Sequence, residues 1–351
     1  MFLALKEIKH EKLRYGLIIL MIFLISYLIF MLSSLAVGLA SQNTQAIENW
    51  NAQKIVLNKN ANISMSQSIL TKDDLKNAKI GKNEAIIGQL GIVVKKKGKN
   101  SISAQFLGIK KDQFIYQDII AGKKAKNGNQ ITVDSSFKDK GYKLGDQISL
   151  NGSKKKYKIV GFVNNAKINI APIVYGSMKT WKKLRMVAPN VAASAVVSKN
   201  SNYKFNYKDA KTYPIQAFIN KLPGYTAQNL TFELMIGFLF VISLIVIAVF
   251  LYILTMQKMH NFAVMRAQGI PSKTLVGATI SQSIILVAIG VVIAIILMWL
   301  TDLTLPAAVP MTFTPAIMIS GTLGMLVMGI IGSLIPIRSI LKVDPAKAIG
   351  E

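Results

Sequence analysis

Cysteine is absent from the chain, and only two histidines, His10 and His260, occur in 351 residues. A protein without thiols carries no disulfide framework, no thiolate-bound zinc or iron–sulfur cluster and no thiol nucleophile. Two histidines leave little for other metal chemistry. Acidic residues are scarce as well, with 16 Asp plus Glu against 42 Lys plus Arg, a formal net charge of +26. Charged residues make up only 17% of the chain and apolar ones 52%, a mixture unlike that of an ordinary soluble enzyme. No serine, histidine and acid set can be assembled for nucleophilic catalysis. A phosphate-cradling loop of the form GxxxxGK[ST] is missing too. The nearest match, Ser272-Lys273-Thr274 after Gly269-Ile270-Pro271, has no glycine before the lysine. The chain is therefore not expected to be an enzyme, and any ATP hydrolysis that serves it belongs to a separate polypeptide.

Long apolar runs are what it has instead. No residue between Tyr15 and Ile47 is charged, and Leu17 to Ala40 forms a run of 24 residues. As a helix that run rises roughly 36 Å, enough to cross a hydrocarbon core of about 30 Å with some tilt. It exceeds the apolar part of a cleavable signal peptide, about 7–15 residues, and is read as an uncleaved anchor. Similar runs follow late in the chain. The spans are placed at 17–40, 232–257, 275–300 and 313–337, with a turn at 301–312. Lys6, Lys9, Lys12 and Arg14 precede the first span, Lys258, Arg266 and Lys273 lie between the second and third, and Arg338, Lys342 and Lys347 follow the fourth. Positive-inside counting then puts 1–16, 258–274 and 338–351 in the cytoplasm, and 41–231 outside. Residues 1–16 read as an amphipathic helix on the inner surface, with Phe2, Leu3, Leu5, Ile8 and Leu13 toward lipid. Tyr15 and Trp299 are expected at opposite interfaces, where amphipathic rings are favoured.

Residues 41–231 hold 32 bases and 10 acids, so this block carries +22 of the +26. Long domains cross membranes largely regardless of charge. Short alternating runs at Glu84–Lys95, Ser101–Ile109, Gln130–Asp134, Gln147–Leu150 and Tyr157–Phe162 predict strands with one buried face. Helical patches are expected at Ser66–Lys79 and Gly176–Arg185. The block reads as a mixed α+β domain. Its lysine runs, Lys95–Lys97 and Lys154–Lys156, have the flanks of hairpin tips, either solvated turns that keep edges from pairing or a surface for an anionic envelope polymer or lipid headgroups. Nucleic acid is not an expected partner, because these bases face outside.

One span, a large external domain and three further spans resemble the permease subunits of the FtsX and MacB type of ABC transporter. Three stretches carry the resemblance: ITVDSSFKDKGYKLGDQISLNGSKKKYKIVGF from Ile131, KMHNFAVMRAQGIPSK from Lys258, and VDPAKAIG from Val343. The first is similar to the family's external core domain, the second to the cytoplasmic loop that rests on the ATPase, the third to the tail after the last span. Compact size and a single external domain are most similar to the HrtB and DevC group, whose HrtB members are haem-efflux permeases. The resemblance implies a polytopic α-helical membrane protein with four transmembrane helices and a mixed α+β extracellular domain between helices 1 and 2. It implies a homodimer in the cell membrane of a Gram-positive bacterium, working with two copies of an ABC ATPase. It further implies no permanently bound cofactor, ATP acting through the partner, and haem as the expected substrate. Export of an antimicrobial peptide or a lipid stays open, as does an FtsX-like mechanotransmitter that controls an envelope protein and carries nothing.

Two readings attach to each candidate residue. Tyr27, Met31, Ser34 and Gly38 fall on one face of the first span, as a packing seam or a lateral pocket where Tyr27 or Met31 meets a porphyrin. Glu233, beside Phe232 and Met235 at the start of the second span, is an interfacial acid or a substrate contact. Phe262, Val264, Met265 and Arg266 form a patch expected to insert into a groove of the ATPase, or else an interface helix. His260 reads as a surface contact rather than a metal ligand.

Overall fold

The computed structural model describes residues 11–115, 119–306 and 309–341. The 343–350 tail and all of the amphipathic stretch before Glu11 lie outside the described residues. The chain divides into two compact units, residues 39–228 and the remainder. In chain order the elements begin with α1 (Lys12–Asn49), β1 (Lys54–Asn58), β2 (Leu70–Thr71), β3 (Glu84–Lys95), β4 (Ile102–Ile109), β5 (Ile119–Gly122) and β6 (Gln130–Asp134). There follow α2 (Ser136–Asp139), β7 (Gln147–Leu150), β8 (Lys156–Val163), β9 (Lys167–Ile168), β10 (Ala171–Ser177), α3 (Met178–Arg185), β11 (Val191–Ala193), β12 (Ala195–Ser198), β13 (Ala210–Pro214) and α4 (Ile215–Asn220). The chain then runs through α5 (Tyr225–Gln257), α6 (Met259–Ala267), α7 (Ser272–Thr304) and α8 (Pro315–Leu341).

Four of these helices, α1, α5, α7 and α8, are long and apolar enough to cross a membrane. They overrun the apolar stretches that mark them in the sequence. In α1 the Asn43 amide donates to the Leu39 carbonyl at 3.0 Å and the Thr44 hydroxyl to the Ala40 carbonyl at 3.1 Å. These polar side chains are satisfied on the preceding turn, within a helix that runs to Asn49. Within the bundle, Ile18, Ile22, Ile29 and Phe30 of α1 pack with Ile247 and Leu251 of α5, Leu286, Val287 and Val291 of α7, and Met325 of α8. Glycine permits the tightest approaches. A Cβ at Gly290 would lie 2.7 Å from Ile22 Cγ2 and 3.1 Å from the Phe23 nitrogen, and Gly321 sits against the Phe30 ring. The Ser283 hydroxyl donates to the Gly329 carbonyl at 2.7 Å, joining α7 to α8. Small residues and single hydroxyl bonds of this kind suit helix packing in lipid, where burial from water supplies no drive. Phe238, Ile245, Ile296, Leu323 and other large apolar residues stay exposed, as a lipid-facing surface requires. Trp299 is 62% exposed, whereas Tyr15 is 0% exposed and belongs to the bundle core. Tyr15 is thus a buried hydrogen-bonding group whose ring does not face lipid.

The inserted unit is a mixed α+β domain. Its large sheet runs β13-β1-β12-β3-β4-β10-β6-β8-β5, with β7 paired to β3 and β8, and β9 to β10. Only β4–β10 and β6–β8 are parallel among these pairs. Neighbouring residues on a strand point to opposite faces, so Phe106 and Val174 join one core while Leu107, Ile173 and Tyr175 join the other. The helix α3 covers the first core. Its start is fixed by Ser177, whose hydroxyl oxygen accepts the Thr180 amide at 3.1 Å, a side-chain N-cap. Trp181 is fully buried over Gly88 and Gly108, and its indole N–H donates to the Gln89 carbonyl at 3.0 Å. A helix over Ser66–Lys79 does not form. That segment holds β2 and a run of turns, because Asp74 accepts from both the amide and the hydroxyl of Thr71, at 2.9 and 2.7 Å. A side chain that bonds the local backbone in this way competes with helix formation.

Candidate functional site

The stripe on α1 packs against neighbouring segments. Tyr27 and Thr301 of α7 share a hydroxyl–hydroxyl bond at 3.0 Å. The Ser34 carbonyl accepts the Thr312 amide at 3.1 Å, and Gly38 lies against the Pro310 carbonyl, where a Cβ would collide. Met31 is half-buried against the bundle core. Ser34 itself is buried, and its hydroxyl has no hydrogen-bond partner among the described residues. The phenol and glycine on that face thus contact Thr301 of α7 and the 310–312 segment. Glu233 and Met235 lie more than two turns along α5, both exposed, with Met235 at 43%. They do not meet the α1 stripe in any hydrogen bond or core cluster among the described residues.

The α6 helix brings the second group of candidate residues together on one element, but not all on its outer face. Phe262 is only 6% exposed and packs with Leu275 of α7 and Ile340 of α8, flanked by Met265. It anchors α6 to the bundle, and the reading in which Phe262 inserts into a partner is corrected accordingly. Val264, Met265 and Arg266 are half-buried, whereas His260, Asn261 and Gln268 are exposed. The turn after α6 is closed by Gly269, at φ +88°, a left-handed conformation that glycine adopts without steric cost.

Beside α6 lies a polar cluster that the sequence reading passed over. The Tyr15 hydroxyl accepts a hydrogen bond from Lys258 Nζ at 2.7 Å and another from the Gln282 amide, and the Lys258 ammonium stands 5.3 Å from the Tyr15 ring centre. This cluster links α1, the end of α5 and α7. Gln282 was the available signal, since an amide inside an apolar span needs a partner.

In the inserted domain the lysine runs do sit at hairpin tips, between β3 and β4 and between β7 and β8. Lys96 bonds Asp146 at 2.5 Å, and Lys99 stands 4.7 Å from the Tyr142 ring centre. Burial pushes the Asp146 carboxyl up, but the Lys96 hydrogen bond, the Lys143 amide and the lysine charges outweigh it and hold it below the usual carboxylate value. A concavity of about 700 Å³ is lined by Asp73, Asp74, Asp209 and Lys208 among others. Among the described residues no group of three or more His, Cys, Asp or Glu is arranged to hold a metal ion.

Residues 233–345, from the third turn of α5 to the tail, match the family model described as FtsX-like permease C-terminal. This part of the chain is an FtsX-like permease domain. Two proteins named "Putative hemin transport system permease protein HrtB" are similar over the whole length. The one from Staphylococcus haemolyticus is 27% identical over 351 residues, covering 100% of this chain and 99% of the relative. The one from Staphylococcus epidermidis is 29% identical over 354 residues, with the same coverage. Among solved structures, the periplasmic region of MacB from Actinobacillus actinomycetemcomitans covers 48% of this chain and 93% of its own at 14% identity, with a TM-score of 0.36. With its four apolar helices, the permease domain and the segment before it make a multi-pass membrane protein.

Proposed function

We propose that this chain is the membrane subunit of an ABC-type exporter that, as a homodimer with two copies of a separate ATPase, moves haem outward from the membrane. The carrying observation is the end-to-end similarity to two proteins named as hemin transport permeases, with 99% of each relative covered. Four apolar helices without a phosphate-binding loop suit a subunit that borrows its ATPase. In this reading both termini and α6 are cytoplasmic, and the basic domain is outside.

The geometry suggests how force would pass. A partner pressing on α6 at His260, Val264, Met265 and Arg266 acts on a helix that Phe262 ties to Leu275 and Ile340. Displacement of α6 would therefore reach α7 and α8 through direct packing, and α1 through Lys258 and Tyr15. Haem is apolar in its ring and anionic through its propionates, so it partitions into lipid and is drawn toward an external lysine-rich surface. Tyr27, Met31, Ser34, Glu233 and Met235 remain the proposed contacts, with Tyr27 required to leave Thr301 before it meets a porphyrin.

The test is ATP hydrolysis by the co-purified permease and motor in lipid nanodiscs, titrated with haemin and, separately, with a cationic peptide. Saturable stimulation by haemin alone supports the proposal. Stimulation by peptide or added lipid but not by haemin removes haem and leaves the permease assignment standing.

A further inference from the structure

We infer that the cleft between the start of α1, the end of α5 and α6 is a binding site for the phosphodiester headgroup of an anionic phospholipid. The cleft has a volume of about 260 Å³ and is lined by Glu11 and Arg14 from α1, Gln257 and Lys258 from the end of α5, and Asn261, Phe262 and Met265 from α6. It is smaller than the roughly 300–1,000 Å³ of sites for drug-sized ligands, a size that suits a headgroup.

Its position defines the ligand's other half. Leu13 and Leu17 on α1, and Ile253 and Met256 on α5, are exposed next to the cleft, so acyl chains can lie along both helices while the headgroup reaches the polar ring at their ends. Its chemistry selects charge. Arg14 and Lys258 supply two cations, and Gln257 and Asn261 two amides able to donate to phosphate oxygens. Glu11, the single acid of the lining among the described residues, is engaged with Arg14 at 3.0 Å and so holds the guanidinium in place. Lys258 is likewise fixed by its bond to the Tyr15 hydroxyl at 2.7 Å. Among the described residues the ring is net positive, which favours a headgroup with net negative charge over a zwitterionic one. Basic clefts between membrane helices at headgroup depth are the physical setting in which such lipids bind.

The site is distinct from the proposed substrate stripe, since Tyr15 and Tyr27 are separated by 12 residues of one helix, about 18 Å of rise. It rests on the membrane-spanning assignment and not on haem as substrate. A lipid seated there would bridge α1, α5 and α6, so the lipid composition of one leaflet would set how firmly α6 is held.

The test uses the full chain solubilised from membranes and exchanged into equimolar phosphatidylglycerol and phosphatidylethanolamine, with bound lipid counted by native mass spectrometry. Phosphatidylglycerol should be retained preferentially, and the Arg14→Gln, Asn261→Leu double variant should lose about fivefold of that preference for the cation removed. Inorganic phosphate and glycerol 3-phosphate form a second arm, read as thermal stabilisation. If they reproduce the variant-sensitive stabilisation at millimolar concentration, the lipid is overturned as the source and a free phosphate takes its place. Equal retention of the two lipids by the parent chain, or a preference unchanged in the double variant, overturns the site. Circular dichroism and gel filtration of the variant separate a lost site from a lost fold.

Discussion

The hydroxyl of Tyr15 accepts a hydrogen bond from Lys258 at 2.7 Å, joining the first apolar helix to the end of the second across 243 positions of sequence. Gln282 of α7 donates to the same oxygen, and the tyrosine is fully buried. Tyr15→Phe keeps the ring but removes the acceptor from both donors. The full chain in detergent should lose about 1–3 kcal/mol, the cost of leaving a buried polar group unsatisfied, seen as a lower Tm. An unchanged Tm would show that the three-way bond contributes nothing to holding the bundle.

Gly290 of α7 offers a second test of the bundle. Its absent side chain makes room for Ile22 and for the Phe23 backbone. Gly290→Val should cost about 1–3 kcal/mol through overpacking and push α1 outward. Gly237→Val on α5, where a Cβ would meet nothing within 4 Å, is the matched control. Comparable melting of the two variants would contradict the close α1–α7 approach.

The inserted domain carries an acid-sensitive contact. Burial pushes the Asp74 carboxyl up, but hydrogen bonds from Thr71 and the Asp209 amide, with the Lys208 charge, outweigh it and hold it below its ordinary value of 3.8. A carboxyl lowered by folding adds stability above its unfolded value and loses it as pH falls through the folded one. Unfolding by urea, followed by tryptophan fluorescence, should therefore show stability falling below about pH 4. Asp74→Asn should be less stable at neutral pH by roughly 1.5–3 kcal/mol, with a flatter acid slope. Parallel pH curves for the two proteins would refute the assignment.

Phe262 and Met265 separate anchoring from docking. Phe262→Asp places a charge in the contact with Leu275 and Ile340 and should reduce folded protein several-fold, since an unpaired buried charge costs several kcal/mol. Met265→Asp alters a half-buried position and should leave a folded chain that co-purifies poorly with the ATPase. Full recovery of folded Phe262→Asp, by gel filtration, would mean that this side chain does not anchor α6.

Much of the fold was legible because its signals were periodic. The strands β3, β4, β6, β7 and β8 lie almost where the short apolar runs place them, although burial alternates only along parts of β3, β4 and β8. The strands β10 and β12 carry no alternation, being buried on both sides, so a period of two cannot reveal them. Ser66–Lys79 misled because local propensity says nothing of the carboxylate at Asp74 that takes the Thr71 amide. The candidate site was less legible. Phe262 and Arg266 look alike as parts of a patch until the fold turns the phenyl ring inward, and nothing around Tyr15 in the sequence points to Gln282, 267 positions away, which meets it.

The pairing of β1 carries a last consequence. Lys54, where the chain enters the large sheet, is paired with Pro214, where it leaves, and β1 lies between β12 and β13. Residues 54–214 are therefore a closed cassette whose two ends are neighbours in one ladder. Such a cassette can be exchanged for another of different size without stretching the chain on either side. Evolution and the protein engineer are thus offered the same splice points.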